Sequence, residues 1–154
     1  MTERARSGPG GGPRGRPTHL PPENPATIPP SMCYKLLLMV RVRNLTRDCV
    51  LAEAVEVADT SRKRRAGLLK RQSLPSGEGL WIAPCEAVHT IGMRFSIDVL
   101  YLDRSRKVLK IRHDMVPGRL SVCLRAYGVL ELPAGTAAAT RTAVGDQLQF
   151  QKVL

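Results

Sequence analysis

Residues 95–112 read FSIDVLYLDRSRKVLKIR, and this stretch decides the fold. Phe95–Leu102 is apolar on both faces apart from Asp98, which predicts a strand buried on two sides. Asp103–Arg106 predicts a turn, and Val108–Arg112 alternates apolar and basic residues, as expected for a returning strand. The stretch therefore predicts a β-hairpin whose first strand is the strongest in the chain.

Other short strands are predicted around this hairpin. They cover Tyr34–Arg43, Cys49–Ala58, Leu80–Ala83, Tyr127–Leu132 and Gln147–Val153. Short helices are predicted at Ser61–Arg71 and Thr136–Arg141. We find no strand–helix–strand unit of the length that a parallel sheet requires. The pattern therefore predicts a mainly β fold, a single small antiparallel barrel- or sandwich-like domain with one or two short helices.

The composition divides the chain into two parts. It has 154 residues and a formal charge of +11, from 24 Lys and Arg against 13 Asp and Glu. Thirteen of the first 30 residues are Pro or Gly, which predicts a disordered Pro/Gly/Arg-rich tail over residues 1–31. Residues 32–154 then form one β-rich domain. The abrupt change near residue 31 leaves Met1, Met32 and Met39 as alternative translation starts.

Targeting signals are not evident in this sequence. The longest strongly apolar run, Leu36–Val40, has five residues, whereas a membrane-spanning helix needs roughly 20. Gly and Pro, not an apolar stretch, follow Arg4 and Arg6, unlike a secretory signal. We therefore expect a cytoplasmic protein with no membrane partner. Its four scattered cysteines are then expected to be free thiols.

The densest group of reactive side chains lies between Pro84 and Asp98. The candidate pocket residues are Cys85, His89, Thr90, Arg94 and Asp98. Cys85 and His89 would form an activated thiolate only if a loop or helical turn brings them together, because four residues of strand span roughly 13 Å. The simpler interpretation is a small buried thiol beside a histidine bonded to the backbone.

Asp98 is a carboxylate in an apolar strand, and a buried carboxylate needs a partner. Arg94 lies on the same strand face, and His89 is an alternative donor from a neighbouring strand. A structural role, in which hydrogen bonds from Asp98 fix strand and loop, is the other interpretation. No Cys or His pair has the close spacing of zinc ligands, so we expect neither a metal site nor another cofactor.

A basic segment lies at residues 62–71. Its candidate anion-binding residues are Arg62, Arg64, Arg65, Lys70 and Arg71. Such a run can bind phosphates, but aromatic stacking platforms are missing beside it. A solvated helix face is the commoner explanation, so nucleic acid is a possible partner but not the favoured one. Trp81, between Leu80 and Ile82, is expected in the core.

Several motifs together resemble the domain of unknown function 192 family. They are Ala58-Asp59-Thr60, Arg65-Ala66-Gly67-Leu68-Leu69, Gly79-Leu80, Met93–Val99, Leu130–Gly135 and Gly145-Asp146. The block Pro84-Cys85 with Val88-His89-Thr90 resembles one branch of that family. The resemblance covers roughly residues 50–150 and implies a compact β-rich domain. It implies no established activity, cofactor or catalytic residue.

Three functions follow from these residues. The favoured one is a non-catalytic binding or accessory domain that holds a small polar or anionic ligand around His89, Arg94 and Asp98. One alternative is a thiol-dependent enzyme that uses Cys85 and His89. The other is binding of nucleic acid or an acidic partner through residues 62–71. The ligand, the oligomeric state and the redox state of the thiols are left open by the sequence.

Overall fold

The computed structural model describes residues 39–153, which contain nine strands and two short helices. The strands are β1 (Met39–Asn44), β2 (Cys49–Ala58), β3 (Glu78–Ile82), β4 (Ala87–His89), β5 (Ile97–Leu102), β6 (Val108–Met115), β7 (Leu120–Val122), β8 (Gly128–Pro133) and β9 (Leu148–Lys152). The helices are α1 (Ser61–Ala66) and α2 (Thr136–Ala139). Neither helix in this range is long and apolar enough to cross a bilayer. The predicted tail and the start of the strand Tyr34–Arg43 lie outside the described residues.

Seven strands form one sheet in the order β6-β5-β8-β3-β2-β1-β9. Strands β4 and β7 pair separately, and we call this pair the small sheet. Hydrogen bonds from Val108 N to Asp146 O (2.9 Å) and from Leu148 N to Arg106 O (3.0 Å) join the start of β6 to the segment around the start of β9. The large sheet is therefore curled, with its edge strands meeting at one end. The predicted mainly β class is confirmed.

One strand pair departs from the antiparallel pattern. Strands β2 and β3 pair in parallel, with Val55 opposite Gly79. Residues 59–77, which include α1, carry the chain back to the end of the sheet at which β2 begins, so that β3 can run in the same direction. The sequence analysis missed this crossover. Helix α1 is also shorter than predicted: Thr60 caps it, and Gly67 ends it with φ of +46°.

The large sheet separates two apolar cores, because β5 and β8 are buried on both faces. Val99 and Val129 belong to the core under α1 and the small sheet. Leu100 and Leu130 belong to the core enclosed by the curl, against β1, β2 and α2. Successive side chains of a strand point to opposite faces, so this double burial explains the uninterrupted apolar run. Trp81 lies in the enclosed core, as predicted.

Asp98 is fully buried and bonded to the backbone. Its Oδ1 accepts a hydrogen bond from the Asp114 N–H (2.9 Å), and its Oδ2 accepts one from the Ala137 N–H (2.8 Å). These bonds join β5 to the end of β6 and to α2. Two N–H donors satisfy a buried carboxylate without a cationic partner. These contacts are those of a structural role, in which hydrogen bonds to Asp98 fix strand and loop.

Replacing Asp98 with alanine would leave the buried N–H of Ala137 and the partly buried N–H of Asp114 without this acceptor, and a buried donor without a partner costs about 1–3 kcal/mol. We expect Asp98→Ala to lower the free energy of unfolding by about 2–5 kcal/mol in urea denaturation, and Asp98→Asn by less. The matched control is Asp48→Asn, at a side chain that is 89% exposed. Its effect should stay under about 0.5 kcal/mol. Equal losses in Asp98→Ala and the control would contradict the structural role.

Candidate functional site

Glu131 is a second carboxyl group in a doubly buried strand. It lies on β8 between Leu80 of β3 and Val99 of β5, and it is 4% exposed. Its Oε2 is buried and has no hydrogen-bond partner among the described residues. Burial raises the pKa of Glu131 to about 7, although the charge of Arg71 acts to lower it. A buried polar atom left without a partner is unusual in a stable fold, so Glu131 marks a candidate site.

A cavity of about 70 Å³ lies over Glu131. Its walls come from α1 and the turn after it, from β4, and from the segment between β3 and β4. The polar residues that line it are Arg64, Arg65, Cys85, His89 and Glu131. One water needs roughly 10–15 Å³ of such volume, so the cavity has room for a ligand of a few heavy atoms.

Cys85 lines this cavity as a half-buried thiol. Its Sγ donates a hydrogen bond to Ala87 O at 3.1 Å. Burial raises the pKa of the Cys85 thiol above its usual value, and the charges of Glu131 and Glu86 act in the same direction. An activated nucleophile requires a lowered thiol pKa. The surroundings of Cys85 therefore favour the protonated thiol over the thiolate.

The other predicted pocket residues lie away from this cavity. Thr90 is buried, and its Oγ1 donates to Val116 O (2.7 Å) and accepts from Arg119 N–H (2.9 Å). Arg94 is exposed and donates to Gln72 Oε1 (2.6 Å). Asp98 faces the enclosed core. The structure thus brings Cys85 and His89 to one cavity and places Thr90, Arg94 and Asp98 elsewhere.

The basic segment 62–71 is divided between several roles. Arg71 is bonded to Glu56 (2.6 Å) and lies 3.4 Å from Glu78. Arg62, Arg65 and Lys70 are exposed. Arg64 and Arg65 line the cavity, so two of the five candidate anion-binding residues lie at the Glu131 site.

A second depression, of about 870 Å³, opens on the other side of Cys85. Asp103–Ser105 and Leu124–Tyr127 form its walls, and the Arg104 guanidinium stacks 4.8 Å above the Tyr127 ring. It is wide and open, whereas the Glu131 cavity is small and is lined by a buried carboxyl residue. The smaller cavity is therefore the better candidate.

The donor groups of residues 39–153 do not form a metal site. In this range no three His, Cys, Asp or Glu side chains are placed to hold an ion together. The site instead combines guanidinium groups with a carboxyl group whose pKa of about 7 leaves a large share of it in the neutral form near pH 7. This donor set suits a small oxyanion or another hydrogen-bond acceptor.

Sequence reasoning missed Glu131 as a functional candidate. The signal was available, because Val129–Leu132 is apolar apart from this one carboxylate, as Phe95–Leu102 is apart from Asp98. The pattern alone does not tell which buried carboxyl receives backbone donors. Only the packing shows that Asp98 receives two backbone donors while Glu131 Oε2 receives none within residues 39–153.

The curled sheet, with a small sheet and short helix covering a cavity, defines a compact β domain with a candidate site under that cover. The chain belongs to the DUF192 family, described as "Uncharacterized ACR", whose model matches residues 43–150. It is 30% identical over 117 residues to a UPF0127 protein of Pyrococcus furiosus, covering 72% of this chain and 98% of the relative. A UPF0127 protein of Thermococcus sibiricus is 30% identical over 114 residues, covering 70% and 73%.

Two crystal structures share the fold. A Novosphingobium aromaticivorans protein of unknown function has a TM-score of 0.63 at 23% identity, covering 72% of this chain and 83% of that one. A Sinorhizobium meliloti protein, whose suggested role is transcription regulation, has a TM-score of 0.64 at 22% identity, covering 73% and 92%. These similarities support the fold, and the family description assigns no activity.

The Glu131 carboxyl should make stability depend on pH. The pKa of Glu131 is about 7 in the folded protein, against an ordinary value of 4.5. Between about pH 4.5 and about pH 7 the folded state therefore binds more protons than the unfolded chain, and the free energy of unfolding falls as pH rises. In urea denaturation we expect the free energy of unfolding of the wild type to fall by on the order of 2–3 kcal/mol over this range. Glu131→Gln has a neutral side chain at every pH and should not show this fall. The exposed Glu86→Gln is the control. Equal slopes in both variants would contradict this assignment.

The Cys85 thiol should react slowly. Because burial raises its pKa, we expect alkylation by iodoacetamide near neutral pH to be at least about threefold slower than for Cys85 in the urea-unfolded chain. Peptide mapping by mass spectrometry measures the rate at this site, and Cys85→Ser confirms the assignment. Faster labelling in the folded chain would instead indicate an activated thiolate.

Proposed function

We propose that this protein is a non-catalytic binding domain that holds a small oxyanion-bearing ligand in the Glu131 cavity. The buried Glu131 Oε2 without a partner carries the proposal. A neutral carboxyl donates one hydrogen bond, which a ligand oxygen would accept. Arg64 and Arg65 at the cavity supply positive charge for the same ligand.

The site favours binding over thiol chemistry. Cys85 donates its proton to Ala87 O, and no hydrogen bond joins Cys85 to His89 in the part of the chain that the structure describes. A Cys–His nucleophile would need that contact. The protonated thiol serves instead as part of the cavity wall. The free thiols of Cys49, Cys85 and Cys123 also support our inference of a reducing, cytoplasmic location.

Calorimetric titration of the full chain with acetate and with inorganic phosphate tests this function. An ionised Glu131 repels an anion, so we expect wild-type affinity to fall about tenfold between about pH 6 and about pH 8. Glu131→Gln retains a donor and should bind without this pH dependence.

A matched arginine pair separates the cavity from the general positive charge of the chain. Arg65→Ala removes a lining residue and should weaken binding, whereas Arg62→Ala removes an equal charge that does not line the cavity. Equal effects of the two substitutions, or the same pH dependence in wild type and Glu131→Gln, would overturn the proposal.

A further inference from the structure

Exposed apolar side chains concentrate around the small sheet. Ile91, Leu120 and Leu124 are 62%, 67% and 76% exposed, and Val116 and Val122 are about two-fifths exposed. We call these five residues the apolar stripe. They are most of the exposed large hydrophobic residues in the part of the chain that the structure describes. Clustering of this kind marks an interaction surface, whereas single exposed leucines do not.

Strand pairing and hydrogen bonds place Ile91, Val116, Leu120 and Val122 at the small sheet. His89 pairs with Leu120, and Ala87 pairs with Val122. Ser121 between them is buried, so Leu120 and Val122 share the outer face of the small sheet. Thr90 N–H donates to Arg119 O, and the Thr90 hydroxyl donates to Val116 O. These bonds place Ile91 and Val116 at the same end of the sheet.

Basic side chains border the stripe. Lys110 donates from Nζ to Val122 O at 2.8 Å, which places its ammonium group against β7. Arg119 and Arg125 flank the exposed leucines, and Arg112 lies two residues beyond Lys110 on β6. These three arginines are exposed and form no salt bridge within residues 39–153. The nearby carboxylates are Glu86, Asp103 and Asp114, so the four basic groups outnumber them at this border.

We propose that the apolar stripe docks on the surface of an anionic lipid bilayer, with Leu120 and Leu124 entering the interface and the bordering basic groups facing the headgroups. Protruding leucines match a bilayer, which requires no complementary pocket, whereas protein hot spots occupy well-packed pockets. Each basic residue near an anionic surface strengthens association by about fivefold. Peripheral contact of this kind requires no long apolar run in the sequence. The expectation of no membrane partner rested on the lack of such a run and therefore did not address it.

Co-sedimentation of the full chain with vesicles tests the proposal. The vesicles contain equal phosphatidylcholine and phosphatidylglycerol, and pure phosphatidylcholine vesicles report the contribution of headgroup charge. We expect binding to the anionic vesicles that falls with added salt. The double variant Leu120→Ser/Leu124→Ser should weaken it at least about tenfold. The control Leu45→Ser/Val144→Ser replaces two apolar residues of similar exposure elsewhere and should leave it within about twofold.

A charge-matched pair addresses the basic border. Arg119→Glu/Arg125→Glu should weaken vesicle binding more than Arg62→Glu/Arg65→Glu, although both change the net charge equally. Circular dichroism checks the fold of every variant, and Leu124→Ser alone replaces the double variant if that one unfolds. No binding to anionic vesicles, or equal losses in stripe and control variants, would overturn the proposal. Binding to polyglutamate instead of vesicles would also overturn it and assign the stripe to an acidic protein.

Discussion

Strands β5 and β8 lie side by side in the large sheet and are buried on both faces, and each still carries one carboxyl group. A carboxyl in such a place must find donors or stay protonated. Asp98 has two backbone donors, and through them β5 is tied to the end of β6 and to α2. Glu131 has an oxygen without a partner at a cavity. Equal burial thus leads to a structural role in one strand and a candidate site in the other.

The alternation of side chains along a strand decides which role each carboxyl takes. Val99 of β5 lies opposite Glu131 and shares its face of the sheet. Asp98 is one position earlier on the strand, so it points to the other face. That face is enclosed by the curl, where the N–H of Ala137 is within reach. The face of Glu131 is covered by α1 and the small sheet, and within residues 39–153 no hydrogen-bond donor reaches its Oε2.

Most of the large sheet is predictable from the sequence, because its strands show apolar periodicity between clear turns. Cys49–Ala58 coincides with β2, and the hairpin of β5 and β6 was found from residues 95–112. The small sheet was missed because strands of three residues are too short for a periodic pattern to emerge. Arg94 and Asp98 were predicted to share a pocket, but Arg94 precedes β5 and donates to Gln72 instead. The site depends on contacts between distant segments, and no local pattern encodes them.

The small sheet links the candidate site to the exposed surface. On β4, Val88 is buried while Ala87 and His89 are exposed. His89 lines the Glu131 cavity and pairs with Leu120 of the apolar stripe. One short strand therefore forms part of the cavity wall and part of the surface that carries the exposed leucines. The large sheet supplies Glu131 to the cavity, whereas α1, β4 and the segment before β4 supply the other polar residues that line it.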